Sequence, residues 1–185
     1  MIFNQHPKLE GLHAPFSPSQ SHWLRYSEEK AITYLRNKQA AEMGTRLHAF
    51  AKESIDLGLR QPRSKKTICT YINDAIGYRM STEVVLYYSD RFFGTADAIS
   101  FKNNFLRIHD LKTGVTKVDM EQLEVYAAIF CLEYKIKPED IDIELRIYQN
   151  DEVLYHNPLP ENIRSIMNTI VRLEKALLNS KYEEV

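Results

Sequence analysis

Cysteine is scarce in this chain of 185 residues: there are two, Cys69 and Cys131. Two thiols cannot supply the four thiolates of an iron–sulfur cluster, so no such cofactor is expected. They lie far apart in helix-like segments and read as reduced, buried thiols. Long apolar runs are also missing. None approaches the ~20 residues that a membrane-spanning helix needs. The opening stretch, MIFNQHPKLEG, lacks the basic-then-apolar pattern of a secretion signal. A cytoplasmic protein without membrane contact is therefore expected. Nor is there an excess of charge of one sign: 24 Lys and Arg stand against 25 Asp and Glu, a formal net charge of −1. That excludes a protein that coats nucleic acid by bulk electrostatics. It leaves room for a local basic groove, and RQPRSKK (60–66) is one basic cluster, although such clusters are more often solvated loops. No internal repeat or low-complexity tract is present.

What is there reads as one mixed α/β domain over 1–185, long enough to bury a substantial core. Residues 1–16 form an irregular lead-in, and the acidic end, 181–185, is expected to fray. A first helix is predicted in SPSQSHWLRYSEEKAITYLRNK, with Ser17 or Ser19 as its cap and Pro18 in the first turn. A second is predicted in GTRLHAFAKESIDLGL, stopped near Gly58. A third falls in KKTICTYINDAIGYR. Then TEVVLYY, RFFGTADAISF and NFLRIHDLK, separated by turn signals, predict an antiparallel meander. A helix from about Asp119 to Tyr134 follows, with Met120, Leu123, Ala127, Phe130 and Tyr134 as its apolar stripe. Two more strands, IDIELRIYQ and EVLYHN, flank an Asn-Asp turn, and a last helix spans 160–180. The sum is a small sheet of about five strands with helices packed on it.

Three charges sit where apolar residues belong. Strand alternation puts Leu106, Ile108, Asp110 and Lys112 on one face. The same rule groups Phe93, Thr95, Asp97, Ile99 and Phe101, opposite a face of small residues (Gly94, Ala96, Ala98, Ser100) that suggests close packing against another element. A buried carboxylate needs a cation or several donors. One solution is a plain ion pair with Lys112. The other is a pair of carboxylates, facing each other across adjacent strands, that holds a hard divalent cation with Lys112 beside it. Around them, His48 lies four residues after Gly44 on a helix, and Gln122 and Tyr126 lie four apart on another.

The order GTRLH, GTAD, DLKTG, QLEVY, spanning Gly44 to Tyr126, resembles the PD-(D/E)XK nuclease superfamily, in particular its RecB-like exonuclease branch. The resemblance implies a restriction-endonuclease-like core. It implies that His48, Asp97, Asp110 and the carbonyl of Leu111 hold one or two Mg²⁺ or Mn²⁺ ions, and that Lys112 is the catalytic lysine. Gln122 and Tyr126 would position that lysine and a substrate phosphate, and Ser17 and Ser19 would touch phosphate. Some relatives carry a glutamate four residues after the histidine. Here Lys52 takes that place and would face the phosphate backbone, while Glu53 is rotated by roughly 140° from His48 and is a poor ligand.

The implied activity is metal-dependent hydrolysis of DNA, most readily at single-stranded ends. Trp23, Tyr26 and Tyr126 are candidates for stacking bases. Compact relatives occur in phages, with roles in recombination, repair or replication, so a recombination or replication protein is a conceivable partner by analogy. Two readings from other classes stand beside it. One is a nucleic-acid-binding adaptor without cleavage, whose binding would survive chelation. The other is a DNA-end protein whose pocket only pairs charges and would show no heat on titration with Mn²⁺.

Overall fold

The computed structural model describes residues 7–9 and 13–180. The expected lead-in therefore falls partly, and the expected frayed tail wholly, outside the described residues; within the lead-in, Pro7–Leu9 forms a single 3-10 turn. Contacts divide the chain into two compact units, Met1–Thr45 and Arg46–Val185.

In the first unit, a 3-10 helix covers Pro18–Arg25, and Gln20 breaks its helical geometry (φ −120°, ψ 61°). The expected cap at Ser17 or Ser19 does not form. Ser17 makes no capping bond, and the two hydroxyls bond each other at 2.8 Å. The α-helix begins later, and Ser27 caps it by accepting the Lys30 amide at 3.2 Å. Phe16, His22, Trp23, Tyr26 and Tyr34 pack edge-on or tilted against one another. The Trp23 indole donates to the Ser17 carbonyl at 2.9 Å.

Helix α1 spans Glu28–Asp56 without interruption. It joins the two helices expected on either side of residue 40. Gln39, Ala40, Ala41, Glu42 and Met43 are strong helix formers, and a single glycine after them costs only about 1 kcal/mol. The helix ends where the sequence places its end. Gly58 is left-handed (φ 68°), its amide reaches the Ile55 carbonyl, and the Leu59 amide reaches that of Ser54. These two bonds are those of a Schellman termination.

Helix α2 covers Thr67–Gly77. Strands β1 (Ser81–Ser89), β2 (Phe92–Lys102) and β3 (Phe105–Leu111) form the expected meander. Helix α3 (Glu121–Tyr134) then crosses over to β4 (Asp142–Gln149), which pairs parallel with β3, and β5 (Glu152–His156) closes the five-stranded mixed sheet. Helix α4 runs over Pro160–Ser180. The Asn103–Asn104 and Asn150–Asp151 turns place both residues at positive φ, as tight hairpins require.

Two apolar clusters sandwich the sheet. One joins Leu106, Ile108, Leu145 and Ile147 to Leu123, Ala127 and Phe130 of α3 and to Ile163 and Ile170 of α4. The other joins Ala98, Leu111 and Tyr148 to Tyr71, Ile72 and Ala75 of α2 and to Ala51 and Ile55. Helix α3 is buried between sheet and α4, so Ala128, Ile129 and Cys131 are buried beyond the single stripe expected, while Tyr134 at its end is exposed.

The face assignment along β2 needs correction. Gly94 lies against the Tyr126 ring of α3, and Ala96 belongs to the α3-side cluster. Ala98 belongs to the opposite cluster, and Ile99 to the α3 side. Strict alternation would keep Ala96 and Ala98 together. The inward face therefore switches at Asp97. Across from it in β1, Glu83 has φ 47°, outside the strand region.

Behind β3, on the α2 face, His109 is fully buried. The Tyr148 hydroxyl donates to Asp74 Oδ2 at 2.8 Å and so accepts from His109 Nδ1 at 3.2 Å. His109 Nε2 is buried without a partner. Burial, with Arg146 and Arg107 nearby, pulls the imidazole down to about 3.

Candidate functional site

The site forms at the carboxyl end of β3, where pairing with β2 stops. The last ladder pair is Ala98 with His109. One step on, Asp97 replaces the ladder with its side chain, and its Oδ2 accepts the Leu111 amide at 2.9 Å. On the other side the backbone continues, with the Lys112 amide donating to the Tyr148 carbonyl of β4 at 2.9 Å. Both flanking strands thus fix the segment that carries Asp110, Leu111 and Lys112.

Asp110 is buried, with 4% of its surface exposed. Burial first, and then the charge of Asp97, push its carboxyl above the usual carboxylate range, against the opposing pull of Lys112. The Lys112 ammonium donates to Asp110 Oδ1 at 3.2 Å and lies 3.1 Å from Oδ2. Oδ2 itself makes no hydrogen bond and is shut off from solvent. The same ammonium donates to Gln122 Oε1 at 2.9 Å, and Gln122 Nε2 donates to the Tyr126 hydroxyl at 3.3 Å. Tyr126 rests on Gly94, where an added Cβ would stand 2.8 Å from its ring. A continuous relay therefore runs from Gly94 through Tyr126, Gln122 and Lys112 to Asp110.

His48, in the second unit, reaches the cluster from α1. Its Nδ1 stands 3.5 Å from Asp97 Oδ2. A small cleft opens beside this pair, lined by Ala51, Lys52, Tyr71 and Glu83 as well. Glu83 is a residue that sequence reasoning missed. The pairs Thr82–Ala98 and Val84–Ala96 bracket it directly across from Asp97. Its only signal in the sequence is one acid inside an apolar strand, and its meaning depends on the β1–β2 register. Glu53 is exposed and does not line the cleft.

Six of the expected residues are thus brought together: His48, Asp97, Asp110, Leu111, Lys112 and, through its amide, Gln122, with Tyr126 behind. Lys52 lines the cleft, but its ammonium pairs with Asp56 at 2.5 Å. Ser17 and Ser19 belong to the first unit, as do Trp23 and Tyr26.

Two carboxylates, an imidazole and a carbonyl suit a hard divalent cation. The orphaned Oδ2 of Asp110 and the repulsion between Asp110 and Asp97 are what such an ion would relieve. In the geometry described, among the described residues, no three His, Cys, Asp or Glu side chains stand close enough to form a complete ligand group. The Lys112 ammonium supplies the positive charge beside Asp110. Among the described residues no helix is long and apolar enough to cross a membrane. A scan against known protein families, a search of curated proteins and a search of solved structures each found no match.

Proposed function

We propose that this protein is a metal-dependent DNA nuclease of the PD-(D/E)XK type, with a restriction-endonuclease-like core, acting as an exonuclease on single-stranded ends. The observation that carries the reading is the Lys112 ammonium, held between the buried Asp110 and Gln122, with Asp97 and His48 adjoining. A lysine fixed by two acceptors is a preorganised donor, already aimed and partly desolvated. Asp97, Asp110 and His48 would hold Mg²⁺ or Mn²⁺, with the Leu111 carbonyl as a further oxygen. When bound, such an ion supplies Lewis-acid stabilisation of phosphate charge and eases deprotonation of water. Lys112 would then release Asp110 and donate to the scissile phosphate, while Gln122, steadied by Tyr126, keeps the ammonium in place.

The surface beside the site suits single strands. The face of β2 that carries Asp97 continues outward through Thr95 to Phe93, which is 60% exposed. Phe93 pairs across the strands with Tyr87, 45% exposed, and Thr95 with Val85. An exposed ring pair within one strand length of the acids is a platform for stacking bases, a mode indifferent to sequence.

The test is degradation of end-labelled and circular single-stranded DNA with Mg²⁺ or Mn²⁺. Asp110→Ala and Lys112→Ala are each expected to lower the rate by about 10²–10³-fold, the usual loss for one preorganised group, with unchanged circular dichroism. The circle should resist. Undiminished cutting by both variants would remove the mechanism.

One observation favours a second reading. The Lys112–Asp110 pair already balances charge, and no complete ligand group stands ready among the described residues. On that reading the protein binds nucleic acid as an adaptor without cutting it. DNA binding that persists in EDTA, with no cleavage in either metal, would select it.

A further inference from the structure

A groove of ≈ 520 Å³ opens at the end of the sheet away from the acid pair, between β1, β2, the far end of α3 and the residues that follow α2. Its volume falls in the range of small-molecule sites. Gln122 and Tyr134 mark the two ends of this distance along α3, 12 residues or about 18 Å apart. The groove is therefore separate from the site described above.

Its lining has a definite chemistry. Arg79 and Lys102 supply two cations, and Ser81 and Ser100 supply hydroxyls. Among the described residues neither Arg79 nor Lys102 makes a side-chain hydrogen bond or ion pair. None of the described lining residues is acidic. In a chain of net charge −1, two unspent cations in one concavity, with no acid among those lining residues, point to an anionic occupant. The rings specify its other half. Phe101 and Phe130 stand 5.1 Å apart, and Phe130 and Tyr134 4.8 Å apart. The outer members, Phe101 and Tyr134, are 40% and 53% exposed. Arg79 adopts a left-handed backbone (φ 54°) that arginine rarely takes, at the turn that puts it on the rim.

We propose that this groove is a second binding site, for a nucleotide, with the phosphate on Arg79 and Lys102 and the base against Phe101 and Tyr134. The cations and rings stand on the geometry alone. The choice of a nucleotide over another ring-bearing anion rests on the nuclease reading. The occupant is either a free mononucleotide or one unit of a strand held remote from the acids; the two share this chemistry.

The test uses the full chain in EDTA, so that nothing is cut. Thymidine 5′-monophosphate is titrated by calorimetry, and a 5′-fluorescein hexathymidylate by anisotropy at several salt concentrations. Arg79→Gly, which suits the left-handed backbone, is combined with Lys102→Ala. The double variant is expected to weaken binding at least tenfold. For the hexamer it should reduce the salt slope by about 0.7, one single-strand phosphate contact. Binding of the mononucleotide identifies a free nucleotide, and binding of the hexamer alone identifies a strand; either supports the groove. Lys102→Glu, at the exposed end of β2, repeats the comparison should the double variant fold poorly. Failure of both probes to bind, or equal affinity of wild type and variants, would overturn the proposal. Orthophosphate binding as tightly as the mononucleotide would overturn the role of the rings. In an Asp110→Ala background the Arg79 and Lys102 substitutions should weaken binding by the same factor as in wild type. A loss of cutting there with intact groove binding, or the reverse, tells the two readings apart.

Discussion

Gly94 shows how a residue with no chemistry of its own governs one that has it. The Tyr126 ring occupies the space a side chain would take, and Tyr126 in turn bonds Gln122, which holds Lys112. Gly94→Ala must displace that ring, and overpacking of this kind costs about 1–3 kcal/mol. Urea denaturation should show the loss, and in a Tyr126→Ala background the same Gly94→Ala change should cost little. A Gly94→Ala protein as stable as wild type would mean that strand and ring do not press on one another. The sequence makes Asp110 and Lys112 legible because a strand's two-residue period puts both on an apolar face. Gly94 is legible as one of a run of small residues. Glu83 is not, since its place across from Asp97 comes from pairing between strands and not from any local pattern.

Among the elements, the entry to α1 separates two serine-rich segments that look alike in sequence. Ser17 precedes a proline, as helix caps often do, yet it caps nothing; Ser27, before Glu28 and Glu29, accepts the Lys30 amide. Ser27→Ala is expected to cost about 1 kcal/mol and Ser17→Ala a few tenths at most. Thermal melts of the two variants check this, and the reverse order would place the helix start ten residues earlier. The existence and order of nearly all elements follow from periodicity and turn residues. Two features do not. The continuity of α1 hides behind Gly44, which reads as punctuation but is tolerated inside a run of strong helix formers. The face switch at Asp97 hides because period-two reasoning assumes an unbroken pleat, whereas β2 turns from one apolar layer to the other there.

At the scale of the whole molecule, the sheet has a polar lining on one side that makes the fold sensitive to acid. His109 is neutral, buried and bonded to Tyr148. Its folded value, about 3, lies below the ordinary 6.5. A depressed value means the stability it confers is complete above pH 6.5 and is lost as pH falls toward 3. That loss is up to about 4 kcal/mol. Chemical denaturation in EDTA at pH 7, 5.5 and 4 should show the wild type losing stability faster than His109→Phe. Parallel curves would mean that His109 becomes charged without penalty in the folded state.

The parallel pairing of β3 with β4 also sets the order of events during synthesis. The Lys112 amide is anchored on the Tyr148 carbonyl, some thirty-six residues downstream. A nascent chain that has delivered only the meander still lacks the support that orients its lysine. The ribosome must move past β4, and α3 must swing across, before Lys112 is held in place, so a product truncated ahead of β4 is expected to lack the ordered Lys112–Asp110 cluster.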